Sequence, residues 1–316
     1  MSGAHHIPVL REEMLAAVAP KAGEVVVDGT FGAGGYSRAL LTASPTARVV
    51  AFDRDPNVQL LADALARDFP GHFFFVADRF SRMVEGLATL GIHAVDAVVL
   101  DIGVSSMQFD EAARGFSFSR EAPLDMRMSG DGQSAADVVN HYPEAELARI
   151  LFDYGEEKDA RRIARAILAA RAIQPITTTT QLADIIARAV RGAGKMKIHP
   201  ATRSFQALRI EVNQELAELE AALAAAEQLL KPGGRLVVVT FHSLEDRLVK
   251  QFLNGRSDKA HATSRHDPAA LTRDTHTQPR FLLTPSRAIA PSEEEVTRNP
   301  RSRSAKLRCA TRTAYV

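Results

Sequence analysis

Between residues 25 and 37 the chain reads VVVDGTFGAGGYS, and between 49 and 55 it reads VVAFDRD. A β-branched run ends in an acid, Asp28, passes through a glycine-rich turn and opens into helix-forming sequence. The next apolar run ends in a second acid, Asp53. β-Branched residues suit a pleated, buried surface, and glycine lets the backbone make turns and close approaches that a Cβ would block. Open α/β sheets present ligands this way, at the carboxyl ends of their strands, with an acid after the second strand on a ribose diol. The two segments therefore predict an α/β fold that takes a nucleoside-like ligand at its first strand-to-helix turn.

Two common nucleotide patterns fail here. The dinucleotide fingerprint needs glycine or alanine at its sixth position, and counting from Gly32 that position is Ser37. No GK[ST] follows a glycine loop, which excludes a Walker site. What remains is Asp28 followed by Gly29, Gly32, Gly34 and Gly35, which resembles the first motif of S-adenosylmethionine (AdoMet) methyltransferases. LLKPGGRLVVVTF, residues 229–241, resembles the helix–PGG–strand turn of the same enzymes. A tight structural turn would explain the glycines alone; the loop, Asp53 and the PGG turn together favour a methyl-donor site over such a turn, and the broken fingerprint disfavours NAD(P).

Strand-like runs fall at 24–28, 48–53, 72–77, 95–101 and 235–241, the first four separated by helix-compatible segments such as 37–42 and 57–68. This alternation predicts a parallel sheet covered on both faces. The rhythm then breaks, and helical periodicity dominates at 144–152, 158–171, 181–191 and 211–230. One of the threonines at 177–180 caps the third of these helices, and Val212, Leu216, Leu219 and Leu223 mark a core face of the fourth. The expected architecture is a Rossmann-like AdoMet-methyltransferase sheet with an inserted all-helical domain. Residues 1–109 and 205–316 form the sheet domain, and 110–204 form the helical insertion. Residues 255–280 are polar and weakly periodic and read as a loop; His261, His266 and His276 lack zinc-site spacing, and His5 and His6 read as terminal residues. No metal is expected.

No apolar run approaches the ~18 residues that span a bilayer, and the N-terminus lacks the cationic start and apolar stretch of a signal peptide. One cysteine, Cys309, fits a reducing compartment, so a cytoplasmic location away from membranes is expected. The net charge of +1 carries no bulk nucleic-acid signature. The cations are nevertheless concentrated: residues 156–209 hold eleven against four acids, and the chain from Val296 onward holds six with none. Such clusters are either solvated faces or phosphate-gripping surfaces, which position a polynucleotide without reading its sequence.

The runs DIGVSSMQFD (101–110), RGFSFSREAPLDMRM (114–128), GEEKDARRIARAI (155–167), HPATRSFQALRIEVNQEL (199–216), FHSLEDRLVK (241–250) and NPRSRSAKLR (299–308) carry a more specific likeness. In order and over nearly the whole chain, they resemble the bacterial 16S rRNA cytosine-N4 methyltransferase family (RsmH, formerly MraW). The resemblance implies methylation of the exocyclic amine of one cytidine in the decoding region of 16S rRNA, on the assembled small subunit. It also implies that Gly34, Gly35, Tyr36, Asp53, Phe80, Asp101 and Gln108 contact AdoMet. Tyr36 stands where histidine is common, and Met107 where proline is often seen.

Exocyclic N4 is a poor nucleophile, and transfer from a sulfonium is an in-line displacement, so alignment is the main thing a protein can supply. Acceptors aimed at the N4 hydrogens would add to this. Asp101 and the polar loop containing Ser105 and Ser106 are placed for that work, although DIGV is not the [DNS]PP[YFW] tetrapeptide of DNA amino-methyltransferases. Carbon methylation would need a thiolate, and Cys309 sits in a predicted C-terminal strand. His242 either faces the substrate or caps the next helix. Asp246 and Arg247 are expected to pair. Arg127, Arg161, Arg162, Arg165, Lys195, Lys197 and Arg203 are the candidate phosphate contacts. Phe109, Phe116, Phe118 and Tyr154 are each either core residues or stacking platforms for a base. A non-catalytic ribosome-assembly factor with a retained AdoMet pocket is the alternative reading.

Overall fold

The computed structural model describes residues 8–192, 194, 198–257 and 278–314, and only the backbone of Ser106. The chain forms two compact units, Met1–Gly103 with Leu216–Val316, and Val104–Glu215. The second unit is wider at both ends than the expected 110–204 span.

The first unit is built on one seven-stranded sheet in the order β3-β2-β1-β4-β5-β7-β6. Its strands are β1 Val25–Asp28, β2 Arg48–Phe52, β3 Phe73–Val76, β4 Val95–Asp101, β5 Leu230–Thr240, β6 Phe281–Leu282 and β7 Lys306–Arg312. β1 to β5 pair in parallel, whereas β7 runs antiparallel to β5 and β6. Its helices are α1 Arg11–Val18, α2 Gly35–Ala43, α3 Gln59–Asp68 and α4 Met83–Thr89, then, beyond the second unit, α11 Glu215–Leu229, α12 Ser243–Asn254 and α13 Glu293–Arg298. The central strands are apolar on both faces because helices cover both, and Val27, Val98, Leu100 and Val238 pack with Met83, Leu87 and Leu223 in a common core. Strand order reverses between β1 and β4, so their carboxyl ends border the crevice where such sheets bind ligands.

The opposite, amino-terminal edge is pinned by ion pairs. The PGG turn is a bulge within β5: Val95 pairs with Leu230 and Ala97 with Arg235, leaving residues 231–234 outside the ladder. Lys231 Nζ then sits 2.9 Å from both Asp96 oxygens, one of which also accepts the Val25 N–H at 2.8 Å. Arg235 donates to both oxygens of Glu24, at 2.9 and 2.5 Å.

The second unit is helical: α5 Ser106–Asp110, α6 Ala135–His141, α7 Glu144–Asp153, α8 Ala160–Arg171, α9 Thr179–Ala189 and α10 Thr202–Asn213. Its core gathers Leu147, Ile150 and Leu151 of α7, Ile163 and Ile167 of α8, Leu182 and Ile186 of α9, and Leu208 of α10. The capping threonine is Thr178, whose hydroxyl accepts the Gln181 N–H at 3.3 Å.

The single helix expected over 211–230 is in fact two. Gln214 ends α10 in the left-handed region at φ 53°. Asn213 locks that end: its amide donates to Met126 O at 2.7 Å and Arg209 O at 3.0 Å, and its carbonyl accepts the Met128 N–H at 2.9 Å. The proposed face therefore divides, with Val212 packing on the second unit's core and Leu219 and Leu223 buried in that of the first. The expected Asp246–Arg247 pair is also corrected. Asp246 bonds across to β7, to Arg308 Nε at 2.8 Å and Lys306 Nζ at 3.0 Å, because β7 runs alongside α12.

Candidate active site

Three acids stand at the carboxyl ends of adjacent parallel strands in the first unit: Asp28 on β1, Asp53 just past β2 and Asp101 on β4. Asp28 is fully buried; it accepts the Ser37 hydroxyl at 2.7 Å and the Thr30 N–H at 3.2 Å. Burial pushes its carboxyl up to about 6, against the lowering effect of those hydrogen bonds. Thr30 ties the two strand ends together, since its hydroxyl accepts the Asp101 N–H at 2.7 Å.

Asp53 is half-buried and shapes the glycine turn, with Oδ2 accepting the Gly32 N–H at 2.8 Å and Oδ1 the Asp55 N–H at 2.9 Å. Desolvation raises its pKa, and these two backbone bonds partly offset the rise. Each carboxylate oxygen has a second lone pair, so a diol could still be accepted. Asp101 has no such help. Its Oδ1 is buried and without a hydrogen-bond partner. Burial first, then the nearby charges of Asp28 and Glu245, push this carboxyl up to about 8.

The glycines of the turn make room for protein as well as ligand. A Cβ on Gly34, which sits at φ 77°, would lie 2.9 Å from the Phe31 ring, and one on Gly35 would lie 2.3 Å from Pro8 Cγ. Tyr36 is buried, and its hydroxyl donates to the Val9 carbonyl. The departure from histidine at this position is thus absorbed by the N-terminal segment. Phe80 is half-buried at the first residue of a short turn after β3 and packs against the sheet core.

His242 caps α12 rather than standing free. Its Nδ1 accepts the Glu245 N–H at 3.4 Å, which leaves the proton on Nε2. Nε2 lies 2.9 Å from Glu245 Oε1 but out of line for a hydrogen bond. Both ring nitrogens face this one turn, an arrangement unlike that of a base aimed at a substrate. Glu245, absent from the sequence-level candidates, is fully buried, and its Oε2 accepts the Phe241 N–H at 2.8 Å and the His242 N–H at 3.1 Å. An acid three residues after a helix cap is a capping-box signal, disguised here because histidine occupies the serine position.

In the second unit, Ser105 and Gln108 form another capping box: Ser105 Oγ accepts the Gln108 N–H at 3.2 Å, and Gln108 Oε1 the Ser105 N–H at 3.1 Å. The Ser106 side chain lies outside the described residues, as do Lys195, Lys197 and the histidines at 5, 6, 261, 266 and 276. The candidate phosphate contacts separate into two groups. Arg127 is engaged internally, bidentate on Asp125 at 2.9 and 2.7 Å, with a further bond to Gly132 O. Arg161, Arg162 and Arg165 are exposed on α8, opposite its buried Ile163, Ala164 and Ile167. Lys158, two residues ahead of α8, and Arg203 are exposed too, and Arg203 Nη1 donates to Glu156 O at 3.3 Å. Of the aromatics, Phe116 is buried, Phe118 packs on His199 and Phe205, Tyr154 is half-buried beneath Arg149, and Phe109 is 42% exposed. Cys309 is buried in β7 with its thiol donating to Thr284 O at 3.0 Å, and burial raises its pKa, so no thiolate is on offer.

What the strand ends present is acidic and desolvated, and among the described residues no lysine or arginine sits on Asp28 or Asp101. That donor set fits a cationic nucleoside such as AdoMet: the sulfonium and amino group would meet the carboxylates, and a ribose would meet Asp53. The profile of the MraW methylase family matches residues 3–313. Ribosomal RNA small subunit methyltransferase H of Caulobacter vibrioides is 57% identical over 313 residues, covering 99% of this chain and 97% of that protein. The proteins of the same name from Azorhizobium caulinodans and Granulibacter bethesdensis are 56% and 52% identical, covering 98% and 97% of this chain and 88% and 92% of theirs. With its sheet order, acidic strand ends and end-to-end sequence match, the chain belongs to the MraW methylase family.

Proposed function

We propose that this protein transfers the methyl group of AdoMet to the exocyclic N4 of a cytidine in the decoding region of 16S rRNA, on the small ribosomal subunit. The observation that carries the chemistry is the buried, unpartnered Oδ1 of Asp101 at the β1/β4 crevice. A fold does not keep an unsatisfied carboxyl oxygen for stability, since leaving one unmade hydrogen bond costs about 1–3 kcal/mol. As a lone acceptor beside a ligand-binding turn, it suits an N–H that arrives with the substrate.

The turn Gly34–Tyr36 would hold the donor, with Asp53 on its ribose and Phe80 against its adenine. When bound, AdoMet supplies an electrophilic methyl group on a sulfonium. Asp101 accepts a hydrogen bond from the N4 amine, which helps the nitrogen lone pair localise toward the methyl, and then takes the proton that N4 sheds. Asp28 holds the β1 end rigid through Ser37 and Thr30. On α8, Arg161, Arg162 and Arg165 fall at i, i+1 and i+4 on one exposed face about 6 Å long, with Lys158 exposed just ahead of the helix, a row suited to successive phosphates. The cytidine must leave its stack to reach the methyl. A cytoplasmic location accords with such a substrate, and among the described residues no helix is long and apolar enough to cross a membrane. The relatives, all named as methyltransferases, lend nothing to a non-catalytic assembly factor.

The test is incubation with tritiated AdoMet and small subunits lacking the modification, followed by nuclease digestion and chromatography. Label should elute as N4-methylated cytidine. Label in 5-methylcytidine, or in DNA supplied as a competitor, refutes the assignment.

A further inference from the structure

The residues just before α1 do more than lead into the fold. Pro8 lies against Gly35 so closely that no Cβ would fit between them. Val9 is buried, and its carbonyl accepts the Tyr36 hydroxyl. Leu10 is fully buried at φ 52°, a conformation that a branched side chain adopts only when its surroundings hold it there. Two contacts do the holding. The Leu10 N–H donates to Glu295 Oε1 at 2.8 Å, across 285 residues of sequence, and its carbonyl accepts the Met14 N–H at 2.8 Å. Glu295 is itself set by the N-cap of α13, where Ser292 Oγ accepts its backbone N–H at 3.1 Å.

These bonds form one chain of contacts from the C-terminal helix to the glycine turn: Glu295, Leu10, Val9, Tyr36 and Gly35. We propose that Pro8–Leu10 is a strap that fixes the glycine turn in its donor-binding shape, fastened by Glu295 at one end and Tyr36 at the other. Both are positioning residues, since each acts through the strap. The inference rests on the reading that this turn holds AdoMet. It gives Tyr36 a task that requires no contact with the cofactor, and it brings in Glu295, which nothing in the motif carries. A ligand gripped by the backbone of the glycine turn depends on geometry held to within about half an ångström. A turn packed on a fastened strap is preorganised; a turn on a loose strap must be ordered by the ligand, which weakens binding.

Titration calorimetry with AdoMet on the full chain tests this. Unmodified protein must bind first; failure there refutes the cofactor reading itself. Given binding, Glu295→Ala and Tyr36→Phe should each raise the Kd for AdoMet about fivefold, as expected for one hydrogen bond lost. Glu295→Gln, which keeps an acceptor oxygen, should restore it to within about twofold. The exposed neighbour Glu294→Ala should leave it unchanged. With saturating AdoMet, kcat should stay within about twofold in Glu295→Ala, Glu295→Gln and Glu294→Ala, so the effect of Glu295 sits in KM. If Glu295→Ala fails to fold, Tyr36→Phe and Glu295→Gln still decide the matter. Unaltered affinity in Tyr36→Phe, or a kcat loss at unchanged KM, overturns the strap.

Discussion

Asp101→Asn should make the donor-free protein more stable while abolishing methyl transfer. In the fold this carboxyl is held at about 8 against an ordinary value of 3.8. The folded state therefore keeps its proton over a range where the unfolded chain has released it. With more protons bound when folded, stability falls as pH rises from about 4 and levels off above about 8. At pH 7 the penalty is on the order of 4 kcal/mol, from about three pH units at 1.36 kcal/mol each. Asparagine has nearly the same shape and no charge to desolvate, but its buried amide has hydrogen bonds to satisfy, at a cost of about 1–3 kcal/mol. A net gain of about 1–3 kcal/mol at pH 7 remains. The sharper signature is the pH dependence. Asp28, held at about 6, no longer contributes a slope above that pH. Between pH 6 and 7.5 the stability gap between variant and parent should then widen by about 2 kcal/mol. Urea denaturation of both proteins at pH 6, 6.75 and 7.5 measures it, alongside the tritium assay. A gap that stays constant with pH, or a variant that methylates at the parental rate, refutes the role given to Asp101.

Asp53→Ala removes an acceptor that holds both Gly32 and Asp55, and should weaken AdoMet binding by about 2–3 kcal/mol in calorimetry while RNA affinity stays level. Replacing Arg161 and Arg162 together with glutamine should lower the slope of log affinity against log salt by about 1.4 on single-stranded RNA, measured by filter binding across a salt series; an unaltered slope places those side chains away from the phosphates. Asn213→Ala deletes three hydrogen bonds at the end of α10, and should cost about 2–3 kcal/mol, visible as faster amide exchange in residues 104–215 with the sheet unaffected.

The sheet was readable because its signal is local and repeated: each of β1 to β4 is a short apolar run leading into an acid, and β4 matches its expected limits residue for residue. What escaped depended on partners distant in sequence. The break at Gln214 has no glycine or proline to announce it; it exists because Asn213 reaches back to Met126 and Met128. Asp246 prefers β7 to its neighbour Arg247 because a strand 60 residues away supplies two cations. Arg127 is the local exception, since its bidentate partner Asp125 stands only two residues before it. Glu245 shows the same limit at the site. Its capping box is hidden by a histidine in the serine position, and its charge beside Asp101 appears only once β4 and β5 pair.

The acidity of the strand ends bears on how a catalytic cycle could close. Before transfer, on the proposed reading, the site holds a positive sulfonium and an ionised Asp101, an ion pair favoured by the low local dielectric. Transfer neutralises the sulfur, and the positive charge it carried reappears as the proton that N4 must lose. If Asp101 takes that proton, the site passes from an ion pair to two neutral groups with no charge left uncompensated. The carboxyl at about 8 in the donor-free protein shows that the neutral form is the one the fold prefers when no cation is present. A fresh donor, being cationic, would lower that value and displace the proton to solvent. Donor binding at pH 7 should therefore release close to one proton, whereas the uncharged-sulfur product should release far fewer. Calorimetry in buffers of different ionisation enthalpy separates the two, and equal proton release by donor and product would break the link between Asp101 and the sulfonium.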